Sequence, residues 1–191
     1  FWPKIGSEKT NNKNNYTAEF INQSQAFSVS VLQQDTNPKL FGTFGYKSGR
    51  ETNKIAGLNL TYGNTGVPIV QDDSIAYFEC KVINTIDLGT HLMFIGTLVQ
   101  AVNLNDDAEP LTYDYYRKIK KGITPKNAPS YIDKSKFETN ENTSSSTKKY
   151  RCAACGYIYD DSKESLPFEE LPDTWICPAC GSEKADFIKI S

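Results

Sequence analysis

Four of the five cysteines lie in two Cys-x-x-Cys pairs, Cys152/Cys155 and Cys177/Cys180, with 21 residues between the pairs. Such a turn aims two sulfurs at one point, so two facing turns form a tetrahedral tetrathiolate site for zinc or iron. A glycine follows each pair, where a positive φ carries no steric cost. Disulfides would need an oxidising compartment, and nothing in the sequence looks secretory. The pattern therefore predicts a metal site, either structural zinc or redox iron.

The segment around these cysteines is short and rich in aromatic residues. Residues 150–191 are too few to build a sufficient core alone, so the metal would act as a staple. A zinc ribbon needs fewer aromatic residues, which favours iron; they are Tyr150, Tyr157, Tyr159, Phe168, Trp175 and Phe187. Residues 150–160 and 168–181, with Lys184 and Phe187, resemble rubredoxin. This resemblance implies one iron on Cys152, Cys155, Cys177 and Cys180 that carries one electron.

The charge of the chain restricts its partners. The formal net charge is −2 at pH 7, which argues against nucleic acid and anionic membranes as ligands. No apolar run approaches the ~20 residues of a membrane span. In residues 148–191, six lysines and arginines face eight acidic residues. We therefore expect a cytoplasmic protein whose acidic C-terminal part docks on a partner that offers basic residues.

The elements upstream must position any further site. The Asn-rich residues 1–15 read as a loop, and Thr17 is predicted to cap a short helix that ends near Ser24. The alternation in residues 26–32 predicts a half-buried strand. Asn37 and Pro38 predict the start of a second short helix.

Two longer β segments follow. In residues 74–83 the phase of Ala76, Phe78 and Cys80 is predicted to face inward, with Cys80 as an inert core residue. A turn at residues 87–90 leads to a strand at residues 91–103, whose apolar residues occupy both phases. This pattern predicts burial on both faces, as in a barrel or at a dimer interface. The fold class expected is mainly β and antiparallel.

A loop between these elements carries cations and a hydroxyl group, on Lys47, Ser48, Arg50 and Lys54. Such side chains on a bendable loop suit an anion such as phosphate. A solvated loop is the simpler interpretation, because exposed charge on loops is the rule. The loop alone therefore does not decide between the two.

A second resemblance covers most of the first 132 residues. Residues 89–98, with His91 the only histidine, are similar to the flavin reductase-like family of FMN-binding split barrels, although Thr90 stands where that family usually has an acid. Residues 13–17, 27–32, 44–50, 66–69 and 110–131 are similar to it too. They resemble especially the branch fused to a C-terminal rubredoxin, the high-molecular-weight rubredoxins.

This resemblance implies cofactors and site residues. Lys47, Ser48 and Arg50 would meet the FMN phosphate, with Lys54 nearby. Asn14 and Thr17 would help to fix the flavin, and His91 would border the nicotinamide of NADH or NADPH. The family also implies a homodimer, and a flavodiiron protein that reduces oxygen or nitric oxide as the electron acceptor.

The predicted organisation has three parts. Residues 1–132 form an antiparallel FMN-binding split barrel whose N-terminal strands are missing or precede Phe1; we expect that they precede it, because an open barrel exposes strand edges. Residues 133–149 form a flexible linker rich in Ser, Thr and Asn. Residues 150–191 form a small rubredoxin-like metal-bound domain. The alternatives left open are a non-redox binding module with a structural zinc ribbon on an inactive barrel scaffold, and a rubredoxin with a scaffold that binds no flavin.

Overall fold

The computed structural model of the chain describes residues 6–119 and 148–190, and for residues 6–9 the backbone alone. The contacts divide the chain into two compact units. One runs to Thr36 and resumes over Lys47–Tyr113, and the other combines Asn37–Tyr46 with the chain from Asp114 onward. The predicted linker lies outside the described residues except for its last two.

The first unit is built on an antiparallel sheet with one helix. Its elements are β1 (Gly6–Asn12), α1 (Tyr16–Ser24), β2 (Ala26–Leu32), β3 (Leu60–Tyr62), β4 (Pro68–Val70), β5 (Ser74–Asp87) and β6 (His91–Asn103). Four strands pair in the order β1–β6–β5–β2, and β3 pairs with β4 separately. The strands predicted at residues 26–32 and 91–103 have the predicted bounds. Over the described residues the sheet stays open, as in a split barrel.

The beginning of the chain differs from the prediction. The Asn-rich stretch that reads as a loop contains β1, which pairs along its whole length with β6, from Gly6 opposite Thr97 to Asn12 opposite His91. The backbone partner that β6 supplies outweighs the poor strand preference of asparagine. Helix α1 begins at Tyr16 with Asn15 as its N-cap, so the prediction of Thr17 as the cap is wrong.

The phase predicted for β5 is wrong over part of its length. Tyr77 and Glu79 are buried and Phe78 is 37% exposed, whereas Cys80 is buried as predicted. The pairing of β5 with β6 shifts register here, because Glu79 lies opposite Gln100 and Cys80 lies opposite Leu98, so the extra residue of this β-bulge is Val99 on β6. Beside Tyr77 and Glu79, β5 itself keeps a regular register with β2, and the face that carries these two residues is covered by β4, whose carbonyl oxygens accept hydrogen bonds from Ser28 and Ser30 on that face.

The core of the first unit lies between α1 and the sheet. It is formed by Ala18, Ile21, Phe27, Cys80 and Phe94. On the other phase of β6, Val99 remains 39% exposed, so the second face predicted to be buried is only partly covered in the single chain.

The second unit contains small elements. They are α2 (Pro38–Phe41), a π-helical turn (Gly42–Tyr46), α3 (Tyr113–Lys118), β7 (Lys149–Cys152), β8 (Ile158–Asp160), two 3₁₀ turns (Phe168–Glu170 and Lys184–Asp186) and β9 (Phe187–Lys189). The first residue of α3, Tyr113, is assigned to the first unit, and the rest of the helix to the second. The three strands pair in the order β8–β7–β9. Helix α2 starts as predicted, since the Asn37 side chain accepts a hydrogen bond of 3.0 Å from the Lys39 N–H and Pro38 takes the first position.

Aromatic rings form much of the core of the second unit. The ring of Phe168 lies 4.2 Å from Tyr150, 5.1 Å from Phe187 and 5.4 Å from Tyr159, measured between centroids. Trp175 completes the cluster at 5.9 Å from Phe168. In the described part of the chain, no helix combines the length and the apolar character needed to cross a bilayer.

Candidate functional site

The two Cys-x-x-Cys turns have the same backbone geometry. The Gly156 N–H donates to the carbonyl oxygen of Cys152 at 2.9 Å, and the Gly181 N–H donates to that of Cys177 at 2.8 Å. Both glycines have positive φ, 81° and 71°. The conformation predicted for the residue after each pair is therefore confirmed, and it directs the two sulfurs of each turn to one side.

The four sulfurs converge on one point. The Sγ atoms of Cys152, Cys155, Cys177 and Cys180 all lie within 4.8 Å of one another. Cys152 Sγ is 3.8 Å from Cys180 Sγ, and Cys155 Sγ is 3.7 Å from Cys177 Sγ. Metal–sulfur bonds of ~2.3 Å in a tetrahedron place the sulfurs about 3.8 Å apart. The thiol set therefore fits one tetrahedral ion.

Hydrogen-bond donors also point at the sulfurs. The Tyr157 N–H donates to Cys155 Sγ at 3.5 Å. The Ser182 hydroxyl lies 3.2 Å from Cys180 Sγ and donates to this sulfur when it is a thiolate. Donors of this kind hold the ligands in place and tune the metal they bind.

The pKa shifts of Cys155 and Cys180 favour the binding of a cation among the thiols. Hydrogen bonds from the Cys155 and Cys177 thiols lower the pKa of Cys180 to about 2. The pKa of Cys155 is raised, because its proton is shared with Cys177 and Cys180. One thiolate is thus stabilised by its neighbours' protons. Cys155 and Cys177, whose pKa values are both raised, release their protons readily only to a positive charge, which a metal ion supplies.

In the first unit, the cationic loop reaches helix α1. Arg50 forms an ion pair with Glu19, and its guanidinium lies 4.4 Å from the centroid of the Tyr16 ring. The Ser48 hydroxyl accepts a hydrogen bond of 3.2 Å from the Arg50 N–H. The loop is therefore held at the first turns of α1, where N–H groups and the helix dipole favour anions.

The two lysines of this loop have different surroundings. Lys47 is exposed, and Lys54 is half-buried. Burial lowers the pKa of Lys54, since its ammonium loses solvation. A phosphate beside Lys54 would offset that cost.

His91 begins β6 beside the turn between β1 and α1. Its Nδ1 lies 2.8 Å from the Thr90 hydroxyl. The Lys13 N–H donates to the carbonyl oxygen of Thr90 at 3.1 Å, and the Lys13 ammonium lies 2.6 Å from the carboxylate of Asp87. This ion pair and the backbone bond fix the β1–α1 turn on the hairpin that carries His91. The Lys13 ammonium also lowers the pKa of Asp87.

Two buried nitrogens near this turn have no hydrogen-bond partner within the described residues, Asn11 Nδ2 and His91 Nε2. They lie on neighbouring strands, because Asn11 pairs with Leu92. A buried donor without a partner costs roughly 1–3 kcal/mol, so a polar ligand here would remove a penalty. The sequence pattern indicates no role for Asn11 beyond its place in an Asn-rich stretch.

The remaining predicted flavin residues lie between these two places. Asn14 is exposed, and its N–H donates to the Asn12 side chain at 2.9 Å. Thr17 is exposed on the first turn of α1, next to Tyr16. Helix α1 and the turn before it thus connect the His91 region with the Ser48–Arg50 region. The residues present fit a flavin that carries a phosphate.

Two sequence families match the chain. The family described as "Flavin reductase like domain" matches residues 10–121, and the family "Rubredoxin" matches residues 149–187. Together they account for both groups of candidate residues.

Relatives repeat this division. A "High molecular weight rubredoxin" of Moorella thermoacetica is 41% identical over 188 residues, which cover 94% of this chain and 80% of that protein. A "Ferric-chelate reductase (NAD(P)H)" of Archaeoglobus fulgidus is 42% identical over 122 residues, 64% of this chain and 72% of that protein. A flavin reductase solved with NADP⁺ has 26% identity and a TM-score of 0.50, over 58% of this chain and 67% of that one.

Proposed function

This chain belongs to the flavin reductase-like family, in the high-molecular-weight rubredoxin branch, and from that premise we propose that it carries electrons from NAD(P)H to a four-cysteine iron centre and on to an acceptor protein. The observation that supports this most is the presence of both parts on one chain. Residues 10–121 match a flavin reductase, and four converging thiols lie in the segment that matches rubredoxin.

The first part provides the NAD(P)H-dependent activity with FMN as its cofactor. Bound FMN accepts two electrons as a hydride and can release them singly, which suits an iron that takes one. The Arg50 guanidinium and the Ser48 hydroxyl would hold the FMN phosphate, with Lys47 and Lys54 adding positive charge. Asn14 and Thr17 would orient the flavin from the β1–α1 turn.

His91 would position the nicotinamide. When the Thr90 hydroxyl donates to Nδ1, the proton of a neutral imidazole resides on Nε2, and that nitrogen becomes a donor. Nε2 is one of the two buried nitrogens without a partner. A donor in this position can bind a polar group of the dinucleotide, as Asn11 Nδ2 can.

The rubredoxin part holds the iron. Cys152, Cys155, Cys177 and Cys180 supply four thiolates, so the ferric site carries one net negative charge. With the acidic surroundings, this charge supports docking of a partner with basic residues. A flavodiiron oxygen or nitric oxide reductase is the proposed acceptor.

The proposal also includes a homodimer, a cytoplasmic location and three domain boundaries. A homodimer is supported by apolar side chains exposed on β5 and β6 of the single chain, which include Ile83, Ile86 and Val99. A cytoplasmic location is supported by the assignment of four cysteines to a metal site rather than to disulfides. The boundaries 1–132, 133–149 and 150–191 are proposed as catalytic domain, linker and iron domain.

The test begins with metal analysis and a visible spectrum of aerobically purified protein, because zinc is colourless. Replacement of any one ligand, for example Cys177→Ser, should abolish the red colour and iron-linked electron transfer. Reduction of FMN by NADH should survive, and Cys80→Ser serves as the control cysteine outside the metal site. Undiminished transfer to an acceptor in the Cys177→Ser protein would contradict the route.

A further inference from the structure

The metal knuckle Cys177–Gly181 is contacted by residues from outside the rubredoxin match. We call these residues the seat: α2 with its π-helical turn, residues 38–46, and α3 from Asp114 to Lys118. Both stretches fall within residues 10–121, which match the flavin reductase-like family. Together with the knuckle they form part of the second compact unit.

The closest approach is between two glycines and the opposing backbone. A Cβ at Gly42 would overlap the carbonyl oxygen of Cys180, and a Cβ at Gly181 would lie 2.6 Å from the backbone nitrogen of Lys39. Gly42 has ordinary right-handed helical angles, φ −57° and ψ −48°. Its conformation therefore does not require glycine, and the steric reason for glycine here is the contact with Cys180.

A chain of hydroxyl groups joins the seat to the same knuckle. Tyr46 donates to the hydroxyl of Tyr116, and the Tyr116 hydroxyl donates to the carbonyl oxygen of Ala179 at 3.1 Å. Phe41 packs edge-on against Tyr116 with 5.0 Å between ring centroids. Tyr46 also packs against the aromatic and cysteine cluster around the metal site. Because each donor meets an acceptor, the contact is specific as well as tightly packed.

The position of the seat in the sequence suggests its role. Tyr46, its last residue in the first stretch, directly precedes Lys47, which begins the loop proposed to hold the FMN phosphate. The chain thus joins the residues that touch the iron knuckle to those assigned to the flavin.

We propose that the knuckle Cys177–Gly181 docks on this seat and that the docked contact is where electrons reach the iron. The proposal rests on the proposed function for its electron donor. It assigns Gly42, Tyr46 and Tyr116 as positioning residues for electron transfer between the two cofactors, a role that neither family match specifies.

The test uses the full chain loaded with iron and FMN. Gly42→Ala keeps a helix-compatible backbone but overpacks the contact, and overpacking of this kind weakens a contact by roughly 5- to 150-fold. We expect NADH-driven bleaching of the ferric band, followed by stopped flow, to slow by a factor in that range. NADH oxidation with a soluble ferric chelate should stay within about twofold of wild type. Hydrogen exchange of the amides at residues 179–182 should become faster.

Two further variants sharpen the result. Tyr62→Phe removes a hydroxyl from a tyrosine that is 61% exposed and lies outside the seat, so it should behave as wild type. Tyr116→Phe removes the hydroxyl that donates to Ala179 and accepts from Tyr46, and should slow bleaching by roughly 5- to 150-fold, the value of two hydrogen bonds.

The outcomes separate this inference from the proposed function. If wild type reduces its iron with NADH and both Gly42→Ala and Tyr116→Phe do so equally fast, the seat is not the electron-transfer contact. Exchange at residues 179–182 that is the same in all variants would overturn the docking itself. If wild type shows no bleaching with NADH, the proposed function fails together with the proposed path of the electrons. Hydrogen exchange at residues 179–182 then tests the docking by itself.

Discussion

Ser182 and Tyr157 occupy the same place in the two cysteine turns but reach the sulfurs in different ways. Each follows the glycine after a pair. Tyr157 donates its backbone N–H to Cys155 Sγ, whereas Ser182 also places a hydroxyl 3.2 Å from Cys180 Sγ. A donor near a sulfur stabilises the reduced site more than the oxidised one, because the reduced site carries more negative charge.

Ser182→Ala should therefore lower the reduction potential of the iron. One such hydrogen bond is expected to contribute roughly 30–60 mV, since 59 mV corresponds to a tenfold change for one electron. A spectroelectrochemical titration measures the shift, and Ser182→Thr, which keeps the hydroxyl, is the matched control. A potential that is the same in the alanine variant would show that the hydroxyl does not act on the sulfur.

The four ligands could be predicted from the sequence, because a Cys-x-x-Cys spacing almost dictates where its sulfurs point. The positive φ of Gly156 and Gly181 followed from the same turn. Tyr46 and Tyr116 could not be found in this way. Their role depends on a contact between residues 63 or more positions apart, such as Tyr116 with Ala179, and no local pattern encodes such a contact.

At the scale of elements, strand β5 places a carboxylate in the interior, against the turn between β3 and β4. Glu79 is fully buried, and its oxygens accept from the Asn64 N–H at 2.9 Å and from the N–H and hydroxyl of Thr65, both at 2.6 Å. Gly63 leaves room for this carboxylate, since a Cβ there would overlap it. Glu79 thus fixes the turn between β3 and β4 on the sheet.

This arrangement predicts how stability depends on pH. Burial raises the pKa of Glu79, but the hydrogen bonds from Thr65 and Asn64 outweigh it, so the net pKa lies below its usual value of 4.5. A lowered folded-state pKa means that the stabilisation is complete above about pH 4.5 and is lost as the pH falls below it. Urea unfolding of wild type from pH 6 to pH 3 should show this loss.

Glu79→Gln should remove the charge and one of the two accepting oxygens. We expect the free energy of unfolding of the first unit at pH 6 to fall by about 1.5–3 kcal/mol and to depend less on pH. Glu51→Gln, at an exposed position, is the control. Equal stability of both variants would mean that the buried carboxylate contributes nothing to the turn.

The strands themselves were largely predictable, and the buried face of β5 was not. Alternation located β2, and the turn at residues 87–90 with the apolar run after it located β6. The burial of Tyr77 and Glu79 depends on cover from β4, and β1 depends on a partner strand 79 to 91 positions away, as the pairing of Asn11 with Leu92 illustrates. Both features arise from contacts in three dimensions, which a single stretch of sequence does not contain.

At the scale of the molecule, the two units should respond differently to loss of the metal. The rubredoxin segment is too small to hold its aromatic cluster without a metal staple, whereas the first unit has its own sheet and core. Removal of the metal by acid and chelator, followed by return to neutral pH, should therefore unfold residues 150–190 and leave the first unit folded.

Trp175 reports this change, because it lies in the aromatic cluster. In a Trp2→Phe background it is the one tryptophan left in the sequence, and its emission should shift to the red when the metal is removed. Limited proteolysis should then cut within residues 150–190, and added iron should restore protection there. Unchanged Trp175 emission in the metal-free protein would show that residues 150–190 do not need the metal to stay folded.

The glycine contact at Cys180 has a consequence for turnover. If Gly42 covers the carbonyl of Cys180 while the iron is being reduced, a foreign protein cannot occupy that face at the same moment. The iron domain then cannot receive an electron and deliver one at the same time, because the reductase segment and the acceptor compete for the same surface. A large excess of acceptor would slow the flow of electrons instead of saturating it.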